Sequence, residues 1–412
     1  MPKQSDSGAS AASQAKQDPH RGKSMFQPKV TAVIFEGGQA KTELDQVIAS
    51  VRKQVVLDTV EKLAAVKEID QVILVTNYPE LAREAAPLGV TVDLETVPGR
   101  FHFGRRLREV IVSHDIENVI YMGGAAAPLL TSREFGDIAQ SLKRERNLVI
   151  MNNVQSADLV AFSPARAIDE VEPPDKDNPL GNLLREIGLR RVLIPNSGRV
   201  NFDLDTPTDI LILGMHPGCG RRAKKAIDDL KWSRDGIDSA FQVLRDQSRE
   251  VAVIGRVGPA VIQYINANMV HRMRVFSEER GMKALGREDR GEVKSLLGFM
   301  VQELGPKAFF SYLAKTADVA FIDTRVIFGH LRKQLSDWDR FQSDLGRYEL
   351  VQDDWTREFT RCAQEAGIPV VLGGHSLVAA GLWLLAEMIV KEREDGGYRH
   401  NTYVLSRGYR PT

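Results

Sequence analysis

The sequence predicts an α/β protein, with a layered and mostly parallel sheet in its first half and a second α/β unit behind it. Three observations predict this. Short apolar runs of buried-strand type, such as Val30–Phe35 and Asn118–Met122, alternate with segments of helical periodicity. The loops that follow these runs hold the unusual residues of the chain, and ligands of α/β sheets bind at the carboxyl ends of strands. Finally, the stretch Asn201-Phe202-Asp203-Leu204-Asp205-Thr206-Pro207-Thr208-Asp209-Ile210 reads as a strand end followed by a capped helix.

Residues 1–27 are rich in Ser, Ala, Gln and Lys and offer little to bury, so a disordered tail is expected. Order begins at Val30–Phe35, and residues 36–42 form its loop. A helix from about Leu44 to Val66 is predicted by Val51, Val55, Val56, Val60 and Leu63 at helical spacing. Predicted strands at 71–75, 90–92, 118–122, 148–152, 158–162 and 192–194 then alternate with predicted helices at 79–88, 103–114, 132–144 and 180–187. The cluster His216-Pro217-Gly218-Cys219-Gly220 marks a boundary, giving domains at 28–217 and 218–412. In the second half, strands are expected at 250–254, 319–322 and 369–372. Residues 261–275 are ambiguous between strand and helix, 293–301, 308–313 and 326–345 read as helical, and an apolar helix begins at Leu377.

The 412 residues are 43% hydrophobic and 27% charged, with no formal net charge. That balance lacks the basic field that gathers nucleic acid or anionic membrane. Cys219 and Cys362 are too few for a disulfide framework or a four-ligand zinc site. No apolar run is long enough to span a bilayer, and the opening residues lack the apolar core of a signal peptide. A cytoplasmic protein is the expectation.

Asp203 and Asp205 are two apart, so an extended backbone points both the same way. Two carboxylates on one face suit a divalent cation held against a phosphate, because hard cations take oxygen ligands. The plainer alternative is a capped strand-helix junction with solvated acids. Gly37 and Gly38 allow close approach of a phosphate or base, and Lys41 is a candidate phosphate ligand. Neither a phosphate-binding Gly-Lys-Ser/Thr loop nor a dinucleotide Gly-x-Gly-x-x-Gly pattern is present.

Taken in order, Val30–Lys41, Val72–Asn77, Gly123–Thr131, Ser156–Phe162 and Phe202–Asp209 resemble nucleotidyltransferases of the molybdenum-cofactor guanylyltransferase and phospholactate guanylyltransferase type. The best match is Asp203-Leu204-Asp205-Thr206-Pro207-Thr208-Asp209, and Pro128-Leu129-Leu130-Thr131 is second. The resemblance covers about residues 28–215. It implies a three-layer, nucleotide-diphospho-sugar-transferase-like domain of GT-A or Rossmann-like type. It also implies Mg²⁺-dependent transfer of a nucleoside monophosphate from a nucleoside triphosphate to a small phosphorylated acceptor. Under it Glu36, Gly37, Gly38, Asn77, Gly123 and Gly124 contact the nucleotide, Asp203 and Asp205 hold Mg²⁺, and Asp203, Asp205 and Lys41 serve the reaction.

Two departures stand against transfer. Glu36 opens the glycine loop, which has no Arg, and Ala126 replaces the metal-binding Asp expected before Pro128. They keep two rivals open: a degenerate nucleotide-binding module that regulates or scaffolds, with a homodimer as one form, and a nucleotide-sugar-dependent glycosyltransferase. The second half resembles no family. Its candidates are Asp323, Arg325 and His375, at predicted strand ends. The simpler expectation is a local Asp323–Arg325 ion pair and a His375 that neighbours a helix cap.

Overall fold

The computed structural model describes residues 28–95, 101–154, 157–283 and 285–395. The expected tail, 1–27, and Ser156, in one of the matched stretches, lie outside the described residues. Among the described residues, eleven strands build two sheets. The first has seven: β1 Val30–Glu36, β2 Gln71–Thr76, β3 Thr91–Leu94, β4 Asn118–Gly123, β5 Leu148–Met151, β6 Leu159–Ser163 and β7 Arg190–Leu193. Their order is β3-β2-β1-β4-β6-β5-β7, with β6 antiparallel to both neighbours and every other pair parallel. The second has four parallel strands, β8 Glu250–Gly255, β9 Arg272–Ser277, β10 Val319–Asp323 and β11 Val370–Gly373, in the order β11-β10-β8-β9. The α/β expectation therefore holds for both halves.

Central strands of a parallel sheet are covered on both faces and so read as continuous apolar runs. β1 (Val-Thr-Ala-Val-Ile-Phe-Glu) is such a strand. One side chain set packs with Val56, Leu57, Val60 and Leu63 of the Glu43–Ala64 helix, and the other faces Phe103, Leu107 and Val110 of the Phe103–Ser113 helix. A third core lies between the sheets. It joins Leu44, Ile48, Val51 and Val55 to Val251, Val253, Val319 and Phe321 through Ile210–Leu213.

Several local expectations are corrected. No strand runs into Asp203. Ser197 caps a short helix, Gly198–Asn201, and Asp203 then makes a single bridge to Ala126. Pro195 and the Ser197 cap stop extended pairing before the acids arrive. The ambiguous 261–275 run splits into a helix, Pro259–Asn268, and the edge strand β9. The helical 326–345 stretch is two helices, Thr324–His330 and Asp337–Asp344. The stretch from Leu377 opens as a π-helical turn, Leu377–Gly381, before Leu382–Asp395 becomes α-helical. The basic start at Arg221 opposes the helix dipole, but Asp58 accepts from the Arg222 and Ala223 N–H groups at 3.2 and 2.9 Å and restores a negative cap. Among the described residues, no helix is long and apolar enough to cross a membrane.

Gly124 shows how tight the first sheet is at its carboxyl end. A Cβ there would lie 2.4 Å from Glu36 Oε2 and 2.7 Å from Val56 Cγ2. Gly124→Ala is expected to destabilise the protein by about 1–3 kcal/mol through overpacking. Urea denaturation measures this, and a loss below about 0.5 kcal/mol, the range of neutral substitutions, would show that the corner yields freely.

Candidate functional site

The carboxyl end of the first sheet is built around Glu36. The last residue of β1 is only 3% exposed. Its carboxylate takes a two-pronged contact from Arg52 of the Glu43–Ala64 helix, with Nε to Oε1 at 3.2 Å and Nη2 to Oε2 at 3.1 Å. The acid that opens the glycine loop thus arrives already paired. Glu36 first, and then Asp203 and Asp205, raise the Arg52 guanidinium further above its ordinary range, against the opposing effect of burial.

The glycine loop is clasped by Asn77, which follows β2. Its Oδ1 accepts from the Gly38 N–H and its Nδ2 donates to the Gly38 carbonyl, both at 3.1 Å. A Cβ on Gly37 would sit 2.7 Å from the same Oδ1. Asn77 therefore shapes the loop, with both ends of its amide engaged. Lys41 stands exposed at the loop's end, just before Thr42 caps the following helix with Asp45 in a reciprocal box. The Gly123 and Gly124 N–H groups are also engaged, on the carbonyls of Asp158 at 3.1 Å and Phe35 at 2.8 Å.

Asp203 is held from three sides. Its backbone bridges Ala126, its N–H donates to Ser376 Oγ at 3.2 Å, and its Oδ1 accepts from the Leu204 N–H at 2.9 Å. Thr206 and Asp209 close a capping box on the Pro207–Met215 helix, and Asp209 Oδ2 also accepts from the Asp205 N–H at 3.3 Å. Asp205 itself faces solvent. Two acids that the sequence did not single out join them. Asp158 precedes β6, and Asp177 accepts from the Tyr121 hydroxyl at 2.9 Å. Burial, then Asp177 and Asp205, push the Asp158 carboxyl up to about 8. Burial, then Asp205 and Asp158, push Asp203 well above the usual carboxylate range, with Arg52 pulling the other way. Among the described residues no three His, Cys, Asp or Glu side chains stand ready-made as a metal cage.

The second sheet presents its own carboxyl end to this one. Arg256 after β8 forks onto Asp323 at 2.6 and 3.1 Å, and Arg325 forks onto Asp344 at 2.7 and 2.6 Å, all four side chains being buried. The expected local Asp323–Arg325 ion pair is thus replaced by two longer-range pairs. Asp323 meets only the backbone N–H of Arg325, at 3.2 Å, as the cap of its helix. Burial works to raise Asp323, but Arg256 overrides it and the net shift is downward. Gly255, at φ +113°, is required because a Cβ would fall 2.5 Å from Asp323 Cβ. Burial, then the neighbouring Arg256, holds the His375 imidazole down to about 4, although Asp323 and Asp205 oppose this.

The structure therefore gathers Glu36, Gly37, Gly38, Asn77, Gly123, Gly124, Asp203 and Asp205 at one sheet end, and brings His375 toward Asp205 from the other. Asp323 and Arg325 are there as paired structural ions. Sequence reading missed Arg52, Asp158, Asp177 and Asp344. Asp158 carried a signal, since it directly precedes an apolar strand; the others sit on helices or in a polar loop with no local mark. A separate cavity of about 490 Å³ is lined by His216, Cys219, Phe241 and Met388, and its Arg234 and Arg245 are paired with Asp238 and Glu392.

No family model and none of the curated proteins matches the chain. Solved structures do. A CMP:2-keto-3-deoxy-manno-octonic acid synthetase complexed with CTP is 13% identical, covering 40% of this chain and 90% of that one at a TM-score of 0.30. A nucleotidyl transferase from Methanothermobacter thermautotroptrophicus is 16% identical, with coverages of 44% and 94% and a TM-score of 0.37. A cytidylyltransferase from Leptospira borgpetersenii serovar Hardjo-bovis is 15% identical, with coverages of 50% and 94% and a TM-score of 0.37.

Removing one partner of a buried ion pair strands the other, whereas replacing both is tolerated. Arg325→Met is expected to cost about 3–5 kcal/mol by leaving Asp344 unpaired, and adding Asp344→Leu should recover most of that loss. Chemical denaturation of the single and double variants checks this. A single variant as stable as the parent would remove the structural role.

Proposed function

We propose that the chain is a nucleotidyltransferase-like protein. It binds a nucleoside triphosphate at the carboxyl end of the seven-stranded sheet and passes the nucleoside monophosphate to a small phosphorylated acceptor, releasing pyrophosphate. The observation that carries this reading is the switch point between β1 and β4, from which the strand order runs outward both ways. Such a reversal opens a crevice where α/β sheets take their ligands. The Glu36–Lys41 loop, the Gly123–Gly124 turn and the Asp203–Asp205 segment all border it.

The donor set suits Mg²⁺ in kind. This ion is commonly held by one or two carboxylates together with waters and substrate phosphates, and seldom by an all-protein cage. Asp203 and Asp205 are the residues that would hold it, and when bound it would neutralise charge on the phosphates. The chain's own groups do the rest. Asn77 keeps the glycine loop in shape, Arg52 removes the charge of Glu36 from the path of a polyphosphate, and Lys41 adds an ammonium at the loop's end. In this reading residues 28–217 carry the nucleotide and the described part of the second half, up to residue 395, forms the opposing wall. The guanylyltransferase likeness of the Asp203–Asp209 and Pro128–Thr131 motifs makes GTP the first base to try.

A second reading, a nucleotide-binding module without transfer, is favoured by Ala126 and by the engaged N–H groups of Gly123 and Gly124. Calorimetry with GTP, CTP, ATP and UTP, each with and without Mg²⁺, separates the two. Transfer predicts that one triphosphate binds only with Mg²⁺ and that Asp203→Asn weakens this binding by about tenfold or more, the scale of one charge-assisted contact. Equal binding with and without metal selects the module, and no binding of any triphosphate rejects both.

A further inference from the structure

The Leu296–Leu313 helix covers one face of the second sheet. Its inward side chains Leu297, Val301 and Phe310 pack with Ala252 and Ile254 of β8 and Ile322 of β10. A helix that buries one stripe is expected to be polar on the opposite side. The opening turns here are not. Leu296 is 64% exposed, Phe299 47%, Leu304 45% and Met300 37%. These four stand at i, i+3, i+4 and i+8, which places them on one outward face. Gly305, at φ +77°, and Pro306 break the helix just past Leu304 and end the stripe.

The stripe is fixed from below. Glu278, which follows β9, accepts from the Ser295 hydroxyl and from the Leu296 N–H, both at 2.6 Å. Ser295 Oγ in turn accepts from the Gly298 N–H at 2.8 Å as the cap of the helix. The Ser295 N–H donates to His330 Nδ1 at 3.2 Å, and the Phe299 ring meets the His330 ring edge to face at 4.3 Å. Gly298 permits this approach, since a Cβ would lie 2.5 Å from His330 Cδ2. Phe299 is therefore held on one side by His330 and open on the other. Phe276 adds a second exposed ring. It shares a face of β9 with Arg274, which donates to the Thr316 carbonyl just beyond the helix, so this ring lies on the helix's side of the sheet.

Single exposed apolar residues are ordinary, but a contiguous row of them marks a protein interface. The neighbouring edge of β9 is not the docking element, because Arg272 and Arg274 line it and charges on an edge strand discourage a further strand. The helix face remains, and the charges at its two ends select the occupant. Lys294 stands just before the helix and Glu303 just before its break. Both are exposed, and neither side chain makes an ion pair or hydrogen bond among the described residues. A second copy of the helix, laid antiparallel across this one on a two-fold axis at Met300, sets Glu303 level with Leu297 of the copy. That is less than one turn from the copy's Lys294. The axis makes the acid-to-ammonium contact twice. A parallel copy would set Glu303 against Glu303 and Lys294 against Lys294. The stripe thus complements itself in one orientation only.

We propose that the chain forms a two-fold homodimer in which Leu296, Phe299, Met300 and Leu304 pack antiparallel against the same stripe of a second copy. Such an interface is isologous, so one patch supplies both sides and closes the assembly at two subunits. Apolar burial supplies the affinity. The Glu303–Lys294 pairs lie at the solvated rim, where they set orientation more than strength. The pairing uses none of the residues assigned to the nucleotide, so it stands apart from the transferase reading.

Sedimentation velocity of the full chain over a range of concentrations is expected to show a reversible dimer. Phe299→Asp should weaken it by about tenfold or more, because it strips an apolar ring from each side of the axis and places a charge there. Val112→Asp, at an exposed apolar position on the Phe103–Ser113 helix of the first half, should leave it unchanged. Glu303→Lys and Lys294→Glu, both at exposed positions, should each weaken the dimer, and the two together should restore it. Met300→Cys should give a disulfide-linked dimer on mild oxidation, whereas the wild type, with only Cys219 and Cys362, should not. Thermal melts confirm that each variant folds. A wild type that stays monomeric at every concentration overturns the interface, as does a dimer that Phe299→Asp leaves as tight as before. A dimer that Phe299→Asp weakens but Met300→Cys does not link, or that the double charge reversal does not restore, overturns the antiparallel two-fold.

Discussion

The Pro207–Met215 helix is the constraint on which both halves depend. Eight of its nine residues are buried, and Ile210, Leu211, Ile212 and Leu213 pack into the core shared by the two sheets. A helix apolar on every side can only sit inside a protein. Burying each of those four side chains is worth about 1.5–3 kcal/mol, so separating the sheets would expose an apolar helix to water. Polar contacts then fix its register. Thr206 and Asp209 satisfy its first N–H groups, and the Thr208 hydroxyl ties it to the Leu372 carbonyl at the end of β11. The Asp203–Asp205 segment is the lead-in to this helix. Its position is therefore set by core packing and needs no separate scaffold.

The charges follow one pattern. Three arginines are matched to a buried carboxylate on another element: Arg52 to Glu36, Arg256 to Asp323 and Arg325 to Asp344. The many exposed pairs, such as Lys224–Asp228 and Arg361–Glu365, add little individually because solvent screens them. The buried pairs are different in kind. Their net stability is small once desolvation is counted, but breaking one is expensive, so they fix geometry more than they add strength. What they leave unmatched is informative. Acids remain in excess on the first-sheet side, at Asp158, Asp177, Asp203 and Asp205.

Much of this was legible in the residues themselves. Strand-helix alternation located all seven strands of the first sheet to within a few residues, because each is an apolar run bounded by turn signals. The capped helix at Thr206-Pro207 was legible for the same local reason: an N-cap, a first-turn Pro and an acid at the third position act within four residues. The approach to Asp203 misled because apolar Phe202 beside alternating acids mimics a strand end, whereas Ser197 had already started a helical turn. Residues brought together by tertiary packing left no such trace. Glu36 and Arg52 stand on a strand and a helix, and Arg325 finds Asp344 across two helices, where a partner two residues away looked sufficient.

Ala126 shows how the acid inventory can be rearranged without loss of the sheet. Its backbone bridges Asp203, and its side chain is buried at the corner where Gly124 already crowds Glu36. A carboxylate there would enter a space crowded by acids and closed to water, at a cost that only a resident cation could offset. The antiparallel strand β6 provides an alternative. Its pairing with β4 sets Leu159 opposite Met122, so the preceding Asp158 lies across from Gly123 and bonds it through the backbone. An acid therefore reaches this rim from the neighbouring strand. Reversal of β6 is what makes this possible, because it brings the amino end of that strand to the same edge as the carboxyl ends of the others. The first sheet thus keeps an acidic rim despite Ala126.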